Sequence, residues 1–385
     1  MTLIIVEKYV TETLQRLVQI NSTNPTLGVG NAGEEEIAAA LAELAGELGL
    51  QVSVDEVVPG RPNVVAILKG SGGGRSLMLN GHTDTVGVEG MSEPFSGAIR
   101  DGKLYGRGSQ DMKASLAAML GAAKAIVDAN IALSGDLILT FVIDEETLSE
   151  GTADIVKHYR ADAAIVTEPT DLTITRAHRG FIWFEVETFG RAAHGSRYAE
   201  GMDANMRMGR FLARLELLEK ELRARPPHPL AGPPSLHASI LRGGSEISIY
   251  AAHCRLTIER RTIPGETVES TKAELQEIID QLAAEDETFK ATVKATFSRE
   301  PFEIGKDAAI VQLLAEKSTD RLGYRPAHTG QTFWTDAALT AGAGIETVLI
   351  GPTGEGLHSA EEWVDLASVV DLAHILADTA VAYCR

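Results

Sequence analysis

The sequence contains little cysteine, fewer basic than acidic side chains and no long hydrophobic run. Cys254 and Cys384 are its only cysteines, and their separation excludes a Cys-x-x-Cys metal or redox motif. A disulfide framework is therefore disfavoured, and the cysteine usage is typical of a reducing cytosol. Lys and Arg number 35 against 54 Asp and Glu, which gives a formal net charge of -19. This charge argues against nucleic acid and anionic membrane surfaces as partners, because both would repel the protein.

The beginning of the chain has no feature of a targeting segment. Residues 1–8 contain only a four-residue apolar run and no basic stretch before it, so we expect no signal peptide. No segment approaches the ~20 apolar residues that a membrane span requires. We therefore expect a cytoplasmic protein without a membrane partner.

The order of helical and strand-like segments predicts two domains. At 385 residues the chain is too long for one small core. Amphipathic helices alternate with apolar strands over residues 1–178 and again over 298–385, which is typical of an α/β sheet covered by helices. Residues 179–297 follow the order β-α-β-β-α-β of a ferredoxin-like unit. We predict that this α+β unit is inserted into a catalytic domain made of the two flanking parts.

The most informative segment is a short apolar strand followed by a histidine and an aspartate. Residues 77–79 are apolar, and His82 and Asp84 follow them closely. Ligands bind at the carboxyl ends of strands in α/β proteins. An imidazole there can ligate a metal ion while a nearby carboxylate holds its other ring N–H. Alone, this pair does not distinguish a metal site from a surface turn.

Similar residues recur after other strands of the predicted sheet. They are Asp111, which opens an Ala-rich helix, Asp144-Glu145-Glu146, Glu168 and His358. Each has an ordinary alternative explanation: Asp111 as a helix-capping residue, the acidic triplet as a solvated loop, and His358 as a surface histidine. Four such clusters at strand ends are hard to explain as unrelated surface groups.

Together these side chains can form a two-metal centre. Five ligands, His82, Asp111, Glu146, Glu168 and His358, suffice for two zinc-like ions if one carboxylate bridges them. Two such ions polarise a carbonyl and lower the pKa of a shared water. Glu145, next to a ligand, can take the proton of that water and later give it to a leaving amine.

The motifs around these residues resemble those of the di-zinc aminoacylase and carboxypeptidase family, peptidase family M20. This family includes acetylornithine deacetylase, succinyl-diaminopimelate desuccinylase, aminoacylase, glutamate carboxypeptidase and dipeptidases. The matching segments are residues 81–86, 106–113, 144–146, 167–170 and 357–361, in the order of the family. The resemblance implies a zinc-exopeptidase-like catalytic domain with helices on both faces of a mixed sheet. It also implies that residues 179–297 form a lid and dimerisation domain.

The resemblance further implies a role for each matching residue. His82 and Glu168 would hold one zinc ion, Glu146 and His358 the other, and Asp111 would bridge the two. Asp84 would orient His82, and Glu145 would act as general base and then as general acid.

Residues of the inserted domain complete the implied site. His194 would reach the active site of the other subunit of a homodimer and stabilise the oxyanion, and Arg261 would clamp the carboxylate of the substrate. Ser248 and Gly330 complete the predicted substrate-binding set, although Ser248 stands where the family often has Asn. The family often has a Pro after the His motif, which is absent here.

Three aromatic residues point to the nature of the substrate. Tyr250, Phe333 and Trp334 lie near these motifs and favour an apolar or aromatic acyl group or side chain, with core packing as the alternative.

We therefore predict a metal-dependent amidohydrolase that cleaves the amide of an N-acyl amino acid, a small molecule with a free carboxylate. The two ions are Zn²⁺, although such a site also accepts Co²⁺ or Mn²⁺. A di-zinc carboxypeptidase or dipeptidase of the same family is the main alternative.

Two more distant alternatives are disfavoured. Gly28, Gly30 and Gly33 fit the GxGxxG pattern of a dinucleotide-dependent oxidoreductase, with Asp55 further on, but no strand precedes them. A non-catalytic binding protein would have lost Glu145 or a ligand, and this chain keeps them all.

Overall fold

The computed structural model describes residues 3–385, so Met1 and Thr2, in the segment assessed for a signal peptide, lie outside it. The helices are α1 (Glu7–Gln19), α2 (Glu35–Glu47), α3 (Ala114–Asp128), α4 (Glu150–His158), α5 (Ala204–Ala224), α6 (Val268–Glu285), α7 (Ala309–Leu322), α8 (Ala337–Gly342) and α9 (Leu366–Tyr383). The strands are β1 (Gln51–Val58), β2 (Arg61–Leu68), β3 (Leu77–His82), β4 (Ala98–Arg100), β5 (Lys103–Tyr105), β6 (Leu137–Val142), β7 (Ala163–Val166), β8 (Ile174–His178), β9 (Gly180–Phe189), β10 (Ser235–Gly243), β11 (His253–Thr262), β12 (Lys290–Arg299), β13 (Phe302–Glu303), β14 (His328–Gln331), β15 (Glu346–Leu349), β16 (Gly354–Glu355) and β17 (Trp363–Asp365).

The chain folds into two compact units. The first consists of the residues up to Arg176 together with Ile304–Thr329 and Thr335–Arg385. The second consists of Ala177–Glu303 and Gly330–Trp334. The first unit is thus assembled from segments that lie before, between and after the two segments of the second unit.

A mixed sheet forms the centre of the first unit. Its strands follow the order β1-β2-β6-β3-β7-β15-β8. Four central neighbours, β6, β3, β7 and β15, run parallel, whereas β1, β2 and β8 pair antiparallel with their neighbours. The parallel strands therefore end at one common edge, where the loops that carry the predicted ligands begin.

Helices cover both faces of this sheet. The central strands β3 and β6 are therefore buried on both sides. Leu77 and Leu79 of β3 face a large core to which α1, α2, α3, α7 and α9 contribute. Met78, between them, faces a smaller core with Ile155 of α4. Side chains alternate between the faces of a strand, so a strand buried on both sides is apolar throughout. The predicted fold, a mixed sheet with helices on both faces and an inserted α+β unit, is confirmed.

A second, small sheet lies in the first unit and has the order β16-β17-β5-β4. Tyr105 of β5 pairs with Trp363 of β17. These strands have only two or three residues each, and they are not among the strands predicted from the sequence.

The second unit has the predicted β-α-β-β-α-β order, with the sheet order β10-β11-β9-β12 and antiparallel pairing throughout. Ile182, Phe184 and Val186 of β9 pack in a core with side chains of α5 and α6. Local signals fix the beginnings of both helices. The Asp203 carboxylate accepts from two N–H groups of the first turn of α5, and Thr267 forms a capping box with Ser270 at α6.

The sequence predicted no membrane-spanning segment, but within residues 3–385 one helix, α9, is long and apolar enough to cross a membrane by length and composition. Most of its side chains, however, are buried, and they belong to the large core of the first unit. Its apolar character is therefore accounted for by packing inside the protein.

We expect Phe184→Ala to destabilise the second unit by roughly 3–5 kcal/mol, because the substitution leaves a cavity in a closed core. Phe189→Ala is the matched control on the same strand: Phe184 is fully buried and Phe189 is 38% exposed. Denaturant unfolding followed by circular dichroism measures both. Equal losses from the two substitutions would show that this core is wrongly assigned.

Candidate metal centre

The ends of the parallel strands bring the predicted ligands together. His82 is the last residue of β3, the triplet that contains Glu146 follows β6, and Glu168 follows β7. His358 lies in the loop between β16 and β17, and Asp111 lies in an irregular helical turn, Ser109–Lys113, before α3. Gly81 lies in a crowded region, because a Cβ there would lie 2.7 Å from the Leu116 side chain.

The His82 imidazole is buried and directed at carboxylates. Its Nε2 atom lies 3.0 Å from Asp111 Oδ1 and 3.9 Å from Glu168 Oε1. Its Nδ1 atom lies 2.9 Å from the main-chain oxygen of Asp84. Because a carbonyl only accepts, Nδ1 carries the proton in the neutral ring and Nε2 presents its lone pair to the carboxylate cluster.

Asp111 lies between the two predicted histidine ligands. Its Oδ2 atom lies 3.4 Å from His358 Nε2, opposite the contact of Oδ1 with His82. His358 Nε2 is also 3.1 Å from Glu146 Oε2. Hydrogen bonds with Asp111 and Glu146 raise the pKa of His358 to about 10. The two imidazoles hold the pKa of Asp111 below its usual range, although burial acts in the opposite direction.

A second group of donors adjoins the first. His82, Glu145 and Glu168 each offer a ligand atom within 4.8 Å of the others, as do His82, Asp111 and Glu146. Burial first, and then neighbouring carboxylates, raise the pKa of Glu168 to about 8 and that of Glu145 well above its ordinary value.

The donor set fits divalent metal ions. Imidazole nitrogens and carboxylate oxygens are the ligands that zinc and similar ions take. Glu146 Oε1 is buried and accepts no hydrogen bond from any residue that the structure describes. The raised pKa values of Glu145 and Glu168 mark a site short of positive charge, which divalent cations would supply.

Asp84 holds the loop after β6. Its carboxylate accepts hydrogen bonds from the main-chain N–H groups of Glu145 and Glu146, at 3.1 and 3.2 Å. The Asn24 amide donates to it at 2.8 Å. Asp84 Oδ1 is 3.6 Å from His82 Nδ1, further away than the main-chain oxygen. The carboxylate of Asp84 therefore orients the acidic loop, and its carbonyl contacts the imidazole.

Three further residues of this region had no role in the sequence analysis. Asn24 contacts Asp84, Glu362 accepts from the N–H group of Asp111, and Asp336 is a buried carboxylate. Burial raises the pKa of Asp336 to about 6, and its Oδ2 atom accepts from Thr152 at 2.6 Å. The only sequence signal for Glu362 is its place four residues after His358.

The second unit contains the other predicted site residues. His194 and Ser248 are neighbours, because Ile249 forms a bridge with His194 and Gly195 N donates to Ser248 O at 2.7 Å. His194 is exposed, with Nδ1 2.8 Å from Ser196 Oγ. Arg261 donates from Nε to Glu259 at 2.6 Å.

Gly330 also lies in the second unit. A Cβ at this position would lie 2.5 Å from Leu230 O, so the close backbone approach requires a glycine.

Of the aromatic residues singled out in the sequence, Trp334 joins a cluster. Its ring packs edge-on against Phe181 and His178, at centroid distances of 6.5 and 6.1 Å. Phe181 also contacts Trp183 and lies 5.3 Å from the Arg261 guanidinium. The alternating bulky residues of β9 predicted a strand that contains Phe181 and Trp183. They did not predict that these rings cluster near an arginine.

The family model described as peptidase family M20/M25/M40 matches residues 78–382. The chain belongs to this family. The N-formyl-4-amino-5-aminomethyl-2-methylpyrimidine deformylase of Bacillus subtilis (strain 168) is 29% identical, over 98% of this chain and 97% of its own length. The acetylornithine deacetylase of Myxococcus xanthus is 30% identical, over 91% of each chain. A dinuclear metal-binding M20 peptidase of Bacillus subtilis has a TM-score of 0.75 at 17% identity, covering 98% of this chain and 99% of its own.

Membership of the M20 family confirms the resemblance drawn from the motifs and the prediction of a hydrolase of C–N amide bonds. It excludes the alternative of a dinucleotide-dependent oxidoreductase. The glycine motif at residues 28–33 indeed follows a helix, α1, and not a strand. The ligand or catalytic role of each individual residue stays a prediction.

Metal binding is testable without a substrate. Zn²⁺ or Co²⁺ added to chelated protein should raise the melting temperature, because a ligand at about 100 times its Kd stabilises the folded state by about 2.7 kcal/mol. His82→Ala should remove most of this gain. His158→Ala, an exposed histidine of α4, should keep it. An undiminished gain in His82→Ala would place the metal elsewhere.

Proposed function

We propose that the protein is a metal-dependent amidohydrolase that cleaves the amide of an N-acyl amino acid. The observation that carries this proposal is the position of Asp111 between His82 and His358, with the half-buried Glu145 in the adjoining donor group. The names of the deacetylase and deformylase relatives support removal of a small acyl group.

Two divalent ions fit the donors, as the family resemblance implies. His82 and Glu168 would hold one ion, Glu146 and His358 the other, and Asp111 would serve both. When bound, such ions polarise the scissile carbonyl and lower the pKa of water. Zinc is the expected metal, and cobalt or manganese would also suit these ligands.

Glu145 moves the proton in the proposed reaction. Its carboxylate takes a proton from the attacking water while the water oxygen bonds to the carbonyl carbon. It then gives the proton to the nitrogen as the C–N bond breaks, so an amine and a carboxylic acid form, and the acid releases its remaining proton to solvent as a carboxylate. Burial, and then the Glu168 carboxylate, raise the pKa of Glu145, which favours a group that holds a proton between the two steps. Asp84 supports this role, because it holds the Glu145 main chain in place.

Residues of the second unit would bind and stabilise the substrate. Arg261 presents a guanidinium that can pair with a carboxylate through two parallel hydrogen bonds, and Ser248 and Gly330 complete the binding set. His194 would donate to the oxyanion in the active site of the partner subunit of a homodimer. Its exposure and its short contact with Ser196 are compatible with a side chain that acts on another chain.

We also propose a cytoplasmic location. Both cysteines are buried and free, as suits a reducing compartment.

A substrate screen tests the proposed function. The metal-loaded protein is offered N-formyl, N-acetyl, N-succinyl and longer N-acyl amino acids beside dipeptides, with Zn²⁺ and Co²⁺, and amine release is measured. We expect N-acyl amino acids to be cleaved and chelation to stop the reaction. Cleavage of dipeptides alone would favour the dipeptidase alternative, and activity that survives chelation would refute a metal mechanism.

Glu145→Gln removes the proton carrier but keeps the size of the side chain. We expect kcat to fall by roughly 10²–10⁴-fold, the usual contribution of a general acid–base group. Metal content, measured by atomic emission, should stay at the wild-type value. Glu150→Gln changes an exposed glutamate at the start of α4 and should leave both quantities unchanged. Normal turnover in Glu145→Gln would overturn the assignment.

A further inference from the structure

Glu362 is a buried glutamate that takes no part in the proposed chemistry. It is 1% exposed. Its Oε1 atom accepts from the N–H groups of Gln110 and Asp111, at 2.8 and 3.1 Å. Its Oε2 atom accepts from Gly108 N at 3.0 Å and from Arg107 Nη1 at 2.6 Å. A carboxylate with four donors around it is fixed in one orientation.

The Arg107 guanidinium connects this carboxylate to a second loop. Besides its ion pair with Glu362, Arg107 donates from Nη2 to Ser359 O at 2.8 Å, and from Nε to Gly87 O at 2.9 Å. Ser359 follows His358 directly. A single planar group thus touches both the residue that holds Asp111 and the loop that carries His358.

The backbone around Asp111 depends on this arrangement. Asp111 has φ -117° and ψ 94°, outside the helical range, in the middle of the turn Ser109–Lys113. Its N–H group therefore points away from the regular helical pattern, and Glu362 provides its acceptor. The main chain adds a further contact next to the small sheet. Gly106, directly after β5, donates from its N–H group to the main-chain oxygen of Glu362, directly before β17, at 3.1 Å.

We propose that Arg107 and Glu362 form a positioning clamp that sets the distance between Asp111 and His358, and with it the affinity for the second metal ion. Neither side chain is among the predicted ligands. The inference rests on the proposed function only through its assignment of Asp111 and His358 as ligands. A clamp of this kind acts on the affinity for metal, whereas a purely structural ion pair would act on folding alone.

Calorimetric titration of chelated protein with ZnCl₂ tests the clamp without any substrate. We expect two equivalents to bind to the wild type. Glu362→Gln places an amide NH₂ opposite donors, and Arg107→Lys keeps the charge but not the fork that reaches Ser359. Each should weaken one of the two equivalents by roughly 10–100-fold, the usual effect of losing a residue that supports a ligand. With saturating ZnCl₂, kcat should return towards the wild-type value.

Glu274→Gln is the matched control. Glu274 pairs with Arg225 and with the buried Arg260 in the second unit and touches no predicted ligand, so this variant should bind both equivalents normally. Thermal unfolding of each chelated variant separates loss of folding from loss of affinity. If Glu362→Gln does not fold, Arg107→Lys decides the question.

The outcomes separate the clamp from the function. Wild-type affinity for both equivalents in a folded Glu362→Gln or Arg107→Lys protein would overturn the clamp and leave the hydrolase intact. A wild type that binds no metal would overturn the proposed function itself.

Discussion

Burial of negative charge at one edge of a sheet is the constraint on which the rest of this structure depends. A carboxylate removed from water is costly unless hydrogen bonds or positive charge compensate it. The protein compensates some carboxylates itself: Glu34 by Arg61, Asp84 by three N–H donors, and Glu362 by four. Asp111, Glu145, Glu146 and Glu168 meet chiefly the two imidazoles and each other. The contrast separates carboxylates that hold the scaffold together from those to which the proposed function assigns metal binding and proton transfer.

The compensated carboxylates do the positioning. Asp84 fixes the main chain of Glu145 and Glu146, and Glu362 fixes that of Asp111. Arg61 joins this layer, because it pairs with Asp144, the residue before Glu145, at 2.9 Å. Asp111, Glu145 and Glu146 thus stand on backbone segments held by buried polar groups. Such support gives a site precise geometry although its residues lie on loops.

The sequence predicted the sheet, the inserted unit and the residues that the structure gathers at the donor cluster, because each of these leaves a local signal. His82, Glu146 and Glu168 all follow apolar runs, and a strand end is readable from its own residues. Asn24, Asp336 and Glu362 leave no such signal, because their roles depend on partners that are distant in the sequence. Asn24 contacts Asp84, 60 residues away, and Glu362 contacts Asp111, about 250 residues away. The short strands of the small sheet were missed for the same reason: two or three residues carry no periodicity, and only pairing across the chain makes them strands.

The division of the first unit into separate chain segments has a consequence for biosynthesis. Four of the predicted ligands precede the inserted unit, whereas His358 and the strand β15 beside β7 follow it. During translation, the first four predicted ligands are therefore made before β15 and His358. The central sheet is still incomplete while the second unit is being synthesised. The proposed donor set is complete only once His358 has been made, so a metal ion captured earlier would meet an incomplete set of donors.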